Sequence, residues 1–261
     1  MDGQELNIEI EGNGPPLALV HGWGMHAGLF QPIVDKLKDR FTFYLVDLPG
    51  HGNSTATADL SRLDAITSLI AKNLQQFVSG KINVLGWSLG GLIAQRMATL
   101  YPDLVSKLIL VSSSACFTNK QGWSDGIDVA MLDQFSTELG NNYQQTLDRF
   151  LAVQFMGSAQ PKINLKLARD LIAMKSTPTT VALQQGLELL KQTDLRIDLP
   201  NISCPCLVLS GERDTLIPTK AVRFITGQIP QVRSYLFKSG SHAPFLTHSK
   251  AFNANLEQFL L

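Results

Sequence analysis

The sequence has 261 residues, 44% of them hydrophobic, which is enough to bury the core of one domain with an inserted subdomain. Its 22 basic and 22 acidic residues cancel, so the overall charge indicates neither a nucleic acid nor a membrane surface as the main partner. The three cysteines, Cys116, Cys204 and Cys206, suit neither a disulfide framework nor a zinc site. No stretch approaches the roughly 18 apolar residues of a membrane span, and the polar N-terminus is unlike an export signal. We therefore expect a cytoplasmic protein with reduced thiols.

Short apolar runs recur along the chain and alternate with helical patterns, an order typical of a parallel sheet covered by helices. Each run is nearly continuous in hydrophobic residues, as expected for strands that are buried on both faces. The predicted strands are 17–20, 41–46, 82–85, 107–111, 206–209 and 234–237. We predict an α/β protein with a mostly parallel central sheet flanked by helices.

The middle of the chain, from about residue 125 to 191, has helical periodicity and no convincing strand. Apolar residues recur there at spacings of three and four, beginning with Val129 and Leu132. Thr177 and Pro178 suit the N-cap and the first-turn proline of one of these helices. The pattern predicts four inserted helices.

Such helices, inserted between two segments of the sheet, would form a cap over its C-terminal edge. That edge is where ligands bind in open α/β sheets. We therefore predict a core made of residues 1–116 and 192–261, and a helical cap or lid made of residues 117–191.

Ser88 lies in the sequence Gly-Trp-Ser-Leu-Gly, between a predicted strand and a helix predicted over 92–101. A sharp strand-to-helix turn forces such a serine into a strained backbone conformation, and glycines two residues before and after it leave room for the close approach that results. The hydroxyl then stands at a helix N-terminus, where backbone N–H groups can hold an oxyanion. We predict Ser88 as a catalytic nucleophile rather than part of an ordinary strand–helix turn.

A nucleophilic serine needs a histidine as its base and a carboxylate that orients the histidine. Among the five histidines, His242 follows the last predicted strand on a glycine-bearing loop, and Asp214 follows the strand before it. The chain order serine, aspartate, histidine is that of α/β-hydrolases. We predict a triad of Ser88, Asp214 and His242, with Glu212 and Asp194 as reserve candidates for the acid.

Two backbone N–H groups are expected to form the oxyanion hole. One is that of Leu89, directly after the nucleophile, and the other is that of Trp23 in the His-Gly-Trp-Gly loop after the first central strand. The stretch 47–54 is interpreted as a structural loop that shapes the floor of the site, with a catalytic role for Asp47 or His51 as the less favoured alternative. No phosphate loop, metal cluster or dinucleotide fingerprint accompanies these motifs, so we expect neither a metal nor a cofactor.

Several longer segments have a combination of residues that points to one family. They are His-Gly-Trp-Gly at 21–24, Asp-Leu-Pro-Gly at 47–50, Gly-Trp-Ser-Leu-Gly-Gly at 86–91, Arg-Phe-Leu-Ala at 149–152 with Met-Gly at 156–157, Gly-Leu-Glu-Leu-Leu-Lys at 186–191 with Asp-Leu-Arg at 194–196, and His-Ala-Pro-Phe at 242–245. Together they resemble the pimeloyl-[acyl-carrier protein] methyl ester esterases (the BioH family) of bacterial biotin synthesis. The resemblance covers nearly the whole chain, including the inserted helices, where α/β-hydrolases usually differ most.

The resemblance implies a serine esterase that hydrolyses the methyl ester of pimeloyl-carrier protein and releases methanol. It implies oxyanion donors at Trp23 and Leu89 and an acyl pocket formed by Trp23, Trp87 and the run 150–154. The implied substrate-binding residues are Trp23, Trp87, Ser88, Leu89, Phe150, Leu151, Ala152, Val153, Gln154 and His242.

Basic residues in the inserted helices are the second feature that the resemblance implicates, as receivers of the acidic carrier protein. Arg149, Lys162 and Lys166 match the arrangement of the family, whereas Gln145 stands where the family can carry arginine. From the sequence itself, Lys162, Lys166 and Arg169 share one helix face and form a cationic stripe that could steer an anionic partner. A plain solvated face is a nearly equal interpretation of that stripe.

As partners we therefore expect an acyl-carrier protein bearing the substrate and small esters, with no nucleic acid and no membrane, and we expect a monomer. Two alternatives share the fold: a broad short-chain carboxylesterase and a C–C bond hydrolase. Haloalkane dehalogenases and epoxide hydrolases are disfavoured because they place aspartate where Ser88 stands. A catalytically inactive binding protein is a third alternative, but it would be expected to lack a triad member.

Overall fold

A seven-stranded sheet lies at the centre of the computed structural model, which describes residues 6–55 and 58–261. The strands are β1 (Ile8–Gly12), β2 (Pro16–Val20), β3 (Thr42–Val46), β4 (Ile82–Trp87), β5 (Val105–Val111), β6 (Cys206–Gly211) and β7 (Val232–Phe237). Their order is β1-β3-β2-β4-β5-β6-β7, with β1 antiparallel to β3 and all other neighbours parallel. The predicted α/β architecture is confirmed. The N-terminal residues 1–5, on which the expectation of no export signal rests, lie outside the described residues.

β1 is the described strand that the sequence analysis does not predict. The other strands coincide with the predicted runs to within two residues. In β1 the sequence Ile-Glu-Ile-Glu alternates apolar and acidic residues, and the strand is only partly buried at the edge of the sheet. An antiparallel edge strand with one solvent-exposed face does not need a continuous apolar run. Such a run is the signal that identifies the parallel strands.

Helices cover both faces of the sheet. The described residues form α1 (Gln31–Leu37), α2 (Leu63–Leu74), α3 (Leu89–Leu100), α4 (Val129–Asn141), α5 (Tyr143–Val153), α6 (Pro161–Ile172), α7 (Thr180–Gln192), α8 (Thr219–Gln228), α9 (Pro244–Thr247) and α10 (Ser249–Leu260). On β4, Val84 faces the apolar core shared with α2, α3 and α8, whereas Leu85 faces the core shared with α1, α9 and α10. As far as the chain is described, none of these helices is both long and apolar enough to cross a bilayer.

α3 begins at Leu89, three residues before the predicted start. Its first turn contains Gly90 and Gly91, which the sequence analysis assigns to the turn instead. A Cβ on Gly90 would lie 2.2 Å from the carbonyl oxygen of Val20 at the end of β2. The glycine therefore lets the helix start against the C-terminal edge of the sheet.

The inserted layer consists of α4, α5, α6 and α7, which lie between β5 and β6 in a part of the chain that is described throughout. α4 packs against α5 and α7, and α5 packs against α6. α7 is the most deeply buried of the four, with six buried residues against two in α4, two in α5 and one in α6. The helical periodicity of this segment therefore corresponds to real helices, while the domain boundaries 1–116, 117–191 and 192–261 stay a prediction.

The start of α7 differs from the prediction. Thr177 and Pro178 lie before the helix, and Thr179 is its N-cap. The Thr179 hydroxyl oxygen accepts a hydrogen bond from the Ala182 N–H at 3.2 Å. Pro178 is buried, and its carbonyl oxygen accepts a hydrogen bond from the hydroxyl of Tyr143 on α5. This contact between helices holds the proline outside α7, and it is not visible in the local sequence.

Candidate active site

Ser88 is the single residue between β4 and α3, and its backbone is strained. Its φ of 55° and ψ of −118° lie in a region that residues with a side chain rarely adopt. A Cβ on Gly86 would lie 2.2 Å from the carbonyl oxygen of Gly90. The two glycines of the motif therefore allow the tight turn that presents the serine.

Hydrogen bonds hold the backbone of Ser88 in this conformation. Its N–H donates to the carbonyl oxygen of Val111 at 2.9 Å. Its carbonyl oxygen accepts from the Ser113 hydroxyl at 2.8 Å and from the Gly91 N–H at 2.9 Å. The end of β5 thus supports the turn from one side and the first turn of α3 from the other.

His242 and Asp214 lie on the loops after β7 and β6, and their side chains are in contact. Nδ1 of His242 lies 2.8 Å from Oδ2 and 3.0 Å from Oδ1 of Asp214. Both side chains are buried. Asp214 Oδ1 also accepts from the N–H groups of Leu216 and Ile217 at 2.9 and 3.0 Å, which fixes the carboxylate. With Nδ1–H donated to the carboxylate, Nε2 is the basic nitrogen of the ring.

The His242 loop is anchored to the turn that carries Ser88. The carbonyl oxygen of His242 accepts a hydrogen bond from Nε1 of Trp87 at 2.9 Å, and the His242 N–H donates to the carbonyl oxygen of Gln154 at 3.1 Å. Among the described residues no hydrogen bond joins Ser88 Oγ to His242 Nε2, which is buried without a partner there. Contacts of this kind are often long in enzymes without substrate and tighten when substrate binds.

The two reserve candidates for the acid have other partners. Glu212 accepts a hydrogen bond from a backbone N–H at 2.9 Å. Asp194 pairs with Arg196 at 2.7 Å, and this guanidinium lowers the pKa of the Asp194 carboxyl. In the described part of the chain, Asp214 is the carboxylate that contacts His242.

The loop of residues 21–27, hereafter the Trp23 loop, lies against the nucleophile. A Cβ on Gly22 would be 3.2 Å from Cβ of Ser88. Trp23 is buried, and its Nε1 donates to the carbonyl oxygen of Leu183 on α7 at 2.8 Å. Leu89 is the first residue of α3, so its N–H has no partner within the helix. Both predicted oxyanion donors therefore belong to segments that adjoin Ser88.

An apolar cavity of about 240 Å³ opens beside Ser88 under the inserted helices. Trp23 forms its aromatic wall with Phe150 and Phe135, at centroid distances of 4.8 and 5.4 Å in edge-to-face arrangements. A more open cleft of about 700 Å³ near Thr179 contains no predicted catalytic residue. The smaller cavity is therefore the one that can receive an apolar acyl chain at the nucleophile.

Asp47 joins several segments beneath the Trp23 loop. Its Oδ1 accepts from the Ala27 N–H at 2.9 Å, and its Oδ2 accepts from the Asn53 N–H and from Nζ of Lys175, both at 3.0 Å. Burial opposes the charged form, yet the pKa of the Asp47 carboxyl lies below its usual value because His21, the N–H donors and the ammonium group favour the carboxylate. These contacts indicate a structural role for Asp47, whose carboxylate holds several segments of the chain together.

His21 and His51 are buried beside this carboxylate. Nε2 of His21 accepts from the Leu48 N–H at 3.0 Å, and its Nδ1 donates to the carbonyl oxygen of Gly22 at 2.8 Å. Burial lowers the pKa of His21 to about 3 and that of His51 to about 4. Both rings are therefore neutral near pH 7. Within residues 6–55 and 58–261, no group of three or more metal-binding side chains is arranged to hold an ion.

Comparison with known proteins identifies the family. Residues 15–249 match the family described as the alpha/beta hydrolase fold. The pimeloyl-[acyl-carrier protein] methyl ester esterase of Xylella fastidiosa is 39% identical over 257 residues, which cover 98% of each chain. The protein of the same name from Nitrosomonas europaea is 40% identical over 247 residues, covering 95% of this chain and 96% of that one. The chain belongs to this esterase family of α/β hydrolases. The resemblance seen in the sequence is thereby confirmed.

The solved structures give the same fold. An esterase from Exiguobacterium antarcticum aligns with a TM-score of 0.89 at 25% identity, covering 97% of this chain and 94% of that one. The predicted enzyme class, a carboxylic ester hydrolase, is confirmed by membership of the esterase family.

Only some of the residues that the family resemblance places in the acyl pocket line the cavity. Trp23, Phe150 and Val153 do so, together with the nucleophile. Trp87 does not, because the alternation of β4 points its side chain to the opposite face of the sheet. There its ring packs edge-to-face on Phe245 at 5.1 Å. Trp87 therefore supports the histidine loop from behind and does not form a wall of the pocket.

The run 150–154 also divides between two faces of α5 and its C-terminal turn. Phe150 and Val153, three residues apart, face the cavity, whereas Leu151, Ala152 and Gln154 do not line it. Leu151 packs into the core on the far face of the sheet, and Gln154 is buried with its carbonyl oxygen bonded to the histidine loop. The helical period thus separates cavity-lining residues from supporting residues within the segment 150–154.

Two other predicted binding residues, Leu89 and His242, do not line the cavity: Leu89 directly follows Ser88 in the chain, and His242 is bonded through its carbonyl oxygen to Trp87. The cavity is also lined by Phe117, Phe135 and Leu187, for which the sequence patterns predict no role in the site. Phe135 is one of the apolar residues that recur at helical spacing in α4. This periodicity could have predicted that Phe135 lies on the face of α4 that is turned toward the sheet. Phe117 lies in the loop after β5, for which the sequence offers no comparable signal.

The basic residues predicted to receive the carrier protein lie on the surface. Lys162, Lys166 and Arg169 are exposed on α6. Arg149 is exposed at the rim of the cavity and pairs with Glu138 on α4 at 2.8 Å. Their role in carrier docking stays a prediction.

Proposed function

We propose that this protein is a serine esterase that hydrolyses the methyl ester of pimeloyl-[acyl-carrier protein] to pimeloyl-carrier protein and methanol. The observation that carries the proposal is a strained serine turn facing an apolar cavity, in a chain that matches an esterase of this name over 98% of its length. The buried His242–Asp214 contact supports a triad with Ser88.

In the proposed acylation, Ser88 Oγ attacks the ester carbonyl while Nε2 of His242 takes its proton. The backbone N–H groups of Trp23 and Leu89 stabilise the oxyanion of the tetrahedral intermediate. Asp214 keeps the imidazole in the tautomer with Nδ1–H and stabilises its charged form. The intermediate then collapses, and methanol leaves with the proton from His242.

In the proposed deacylation, water replaces methanol. Nε2 of His242 takes a proton from the water as its oxygen attacks the acyl-enzyme carbonyl, and the same oxyanion donors act again. The proton then passes to Oγ of Ser88 as the acyl–oxygen bond breaks. The products are a free carboxylate on the pimeloyl chain and an unchanged enzyme.

The cavity supports an acyl chain rather than a polar group at the nucleophile. Trp23, Phe135 and Phe150 present apolar surface, and burying a methylene group contributes about 0.8 kcal/mol. We further propose that the exposed Arg149, Lys162, Lys166 and Arg169 steer the acidic carrier protein, which places the carrier-linked end of the substrate outside the cavity. A role in biotin synthesis, a cytoplasmic location and a monomeric state complete the proposal.

The decisive experiment is to incubate the pure protein with pimeloyl-carrier protein methyl ester and to measure demethylation by mass spectrometry. Ser88→Ala is expected to lower turnover by on the order of 10⁶-fold, as in other triads. Ser203→Ala is the matched control, because Ser203 is exposed near the opposite edge of the sheet. Near-wild-type activity of Ser88→Ala would refute the triad.

Two further measurements separate the alternatives. A broad short-chain carboxylesterase would hydrolyse small p-nitrophenyl esters but not discriminate in favour of the carrier-bound ester, and a C–C bond hydrolase would not demethylate it. An inactive binding protein would not react with a fluorophosphonate, whereas a serine esterase would be labelled at Ser88. Rescue of biotin-requiring growth tests the cellular role.

A further inference from the structure

The Trp23 loop is tied to the inserted helices by side chains of its own. Nε1 of Trp23 donates to the carbonyl oxygen of Leu183 on α7 at 2.8 Å. Nδ1 of His26 accepts from a nearby backbone N–H, so Nε2 of the same ring donates to the carbonyl oxygen of Ile172, the last residue of α6, at 3.0 Å. The segment that holds one proposed oxyanion donor therefore contacts two of the inserted helices directly.

Lys175 makes a third link through Asp47. Its Nζ lies 3.0 Å from Oδ2 of Asp47, while Oδ1 of the same carboxylate accepts the Ala27 N–H at the end of the Trp23 loop at 2.9 Å. The carboxylate is fully buried and the lysine side chain is 7% exposed. The other basic residues between 149 and 175 are exposed, so Lys175 differs from them in its surroundings.

We propose that Lys175 is a positioning residue for the oxyanion hole. Its ammonium group holds the Asp47 carboxylate in the place where that carboxylate fixes the Trp23 loop. The Trp23 N–H is therefore placed correctly only when the inserted helices are packed on the core. This inference rests on the proposed function, because it takes that N–H as a donor to the oxyanion.

The physical reason is the burial of the ion pair. A carboxylate without its counter-charge in a dry environment turns toward water or takes up a proton. Either response weakens the hydrogen bond from Ala27, four residues from Trp23, and loosens the loop. Because catalysis depends steeply on geometry, a displacement of about 1 Å costs up to about 10²-fold in rate.

The test is Lys175→Met, which keeps a long side chain and removes the charge. Rates with p-nitrophenyl acetate and hexanoate are measured per site titrated with a fluorophosphonate. The oxyanion hole acts on every ester, so kcat is expected to fall about 10-fold to 100-fold for both esters with little change in KM. An effect confined to KM for the hexanoate would assign Lys175 to the cavity wall, and an unchanged kcat per titrated site would assign it to stability alone. Either result overturns the proposal.

Glu9→Gln is the matched control. Oε1 of Glu9 lies 2.8 Å from the same Nζ of Lys175, but among the described residues Glu9 makes no hydrogen bond to the Trp23 loop. Its kcat is expected to match the wild type.

A second variant covers the case in which Lys175→Met does not fold. In Asp47→Asn the amide oxygen can still accept from the Ala27 N–H but no longer attracts the ammonium group, so kcat should again fall for both esters. An unchanged kcat would overturn the proposal. Failure of the proposed function is a distinct outcome, because the wild-type protein itself would then not demethylate pimeloyl-carrier protein methyl ester or would not be labelled at Ser88.

Discussion

Gly186 shows, at the scale of a single residue, how the site constrains a helix. It lies in the middle of α7, where glycine is about 1 kcal/mol less favourable than alanine. A Cβ on Gly186 would lie 2.6 Å from Cδ1 of Trp23. α7 can therefore approach the Trp23 loop this closely only at a residue without a side chain. The close contact requires glycine at position 186, although helix propensity favours alanine there.

Gly186→Ala is accordingly expected to lower the free energy of unfolding, since overpacking costs about 1–3 kcal/mol and outweighs the gain in propensity. Displacement of Trp23 should also reduce kcat. Gly140→Ala on α4 is the matched control, because a Cβ there has no atom within 4 Å and should stabilise the helix. Urea unfolding and ester hydrolysis measure both effects. A Gly186→Ala protein as stable and as active as the control would contradict the contact.

Among the elements, the inserted helices differ in how firmly they are packed. α7 has six buried residues, whereas α4 and α5 have two each. An exposed ion pair, Arg149–Glu138, joins α4 to α5. Such a surface pair contributes little to stability. The walls of the cavity therefore combine one firmly held helix with two loosely held ones.

We expect backbone amides of α4 and α5 to exchange with solvent through openings of lower free energy than those of α7. Hydrogen exchange followed by mass spectrometry of peptides from each helix measures the difference. The buried helix α3, which packs against the sheet, is the protected reference. Equal protection in α4, α5 and α7 would show that the inserted layer opens as one unit.

The predictability of each element depended on whether its signal was local. The parallel strands β2 to β6 were predicted because burial on both faces leaves continuous apolar runs, whereas β7 was predicted although it is an edge strand with four of its six residues exposed. The residues that follow β4, β6 and β7 indicated Ser88, Asp214 and His242 as candidates. The start of α7 was not predicted correctly, and Trp87 does not line the cavity, although the resemblance places it in the acyl pocket. The start of α7 depends on a contact with Tyr143. The position of the Trp87 side chain depends on which face of the sheet each residue of β4 points to.

For the whole molecule, the buried histidines make stability depend on pH. The pKa values of His21, about 3, and His51, about 4, lie below the usual 6.5. Between pH 6.5 and about 4 the unfolded chain therefore binds more protons than the folded one. The stabilisation is complete above pH 6.5 and is lost as the pH falls, by up to about 1.4 kcal/mol per pH unit for each histidine.

Urea unfolding at pH 7, 6 and 5 is expected to show this progressive loss. His51→Asn removes one of these groups and should make the dependence shallower by about one proton. A free energy of unfolding that does not change between pH 7 and 5 would contradict the neutral, buried state of these rings.

The proposed catalytic side chains come from the two sides of the insertion, because Ser88 precedes the inserted helices in the sequence and Asp214 and His242 follow them. During synthesis the nucleophile therefore leaves the ribosome before the inserted helices, and its base leaves after them. A growing chain therefore carries the serine turn without its proposed base until β7 and the loop after it have formed. Hydrolytic activity thus becomes a marker of completed folding in this protein, whereas helix content would register long before.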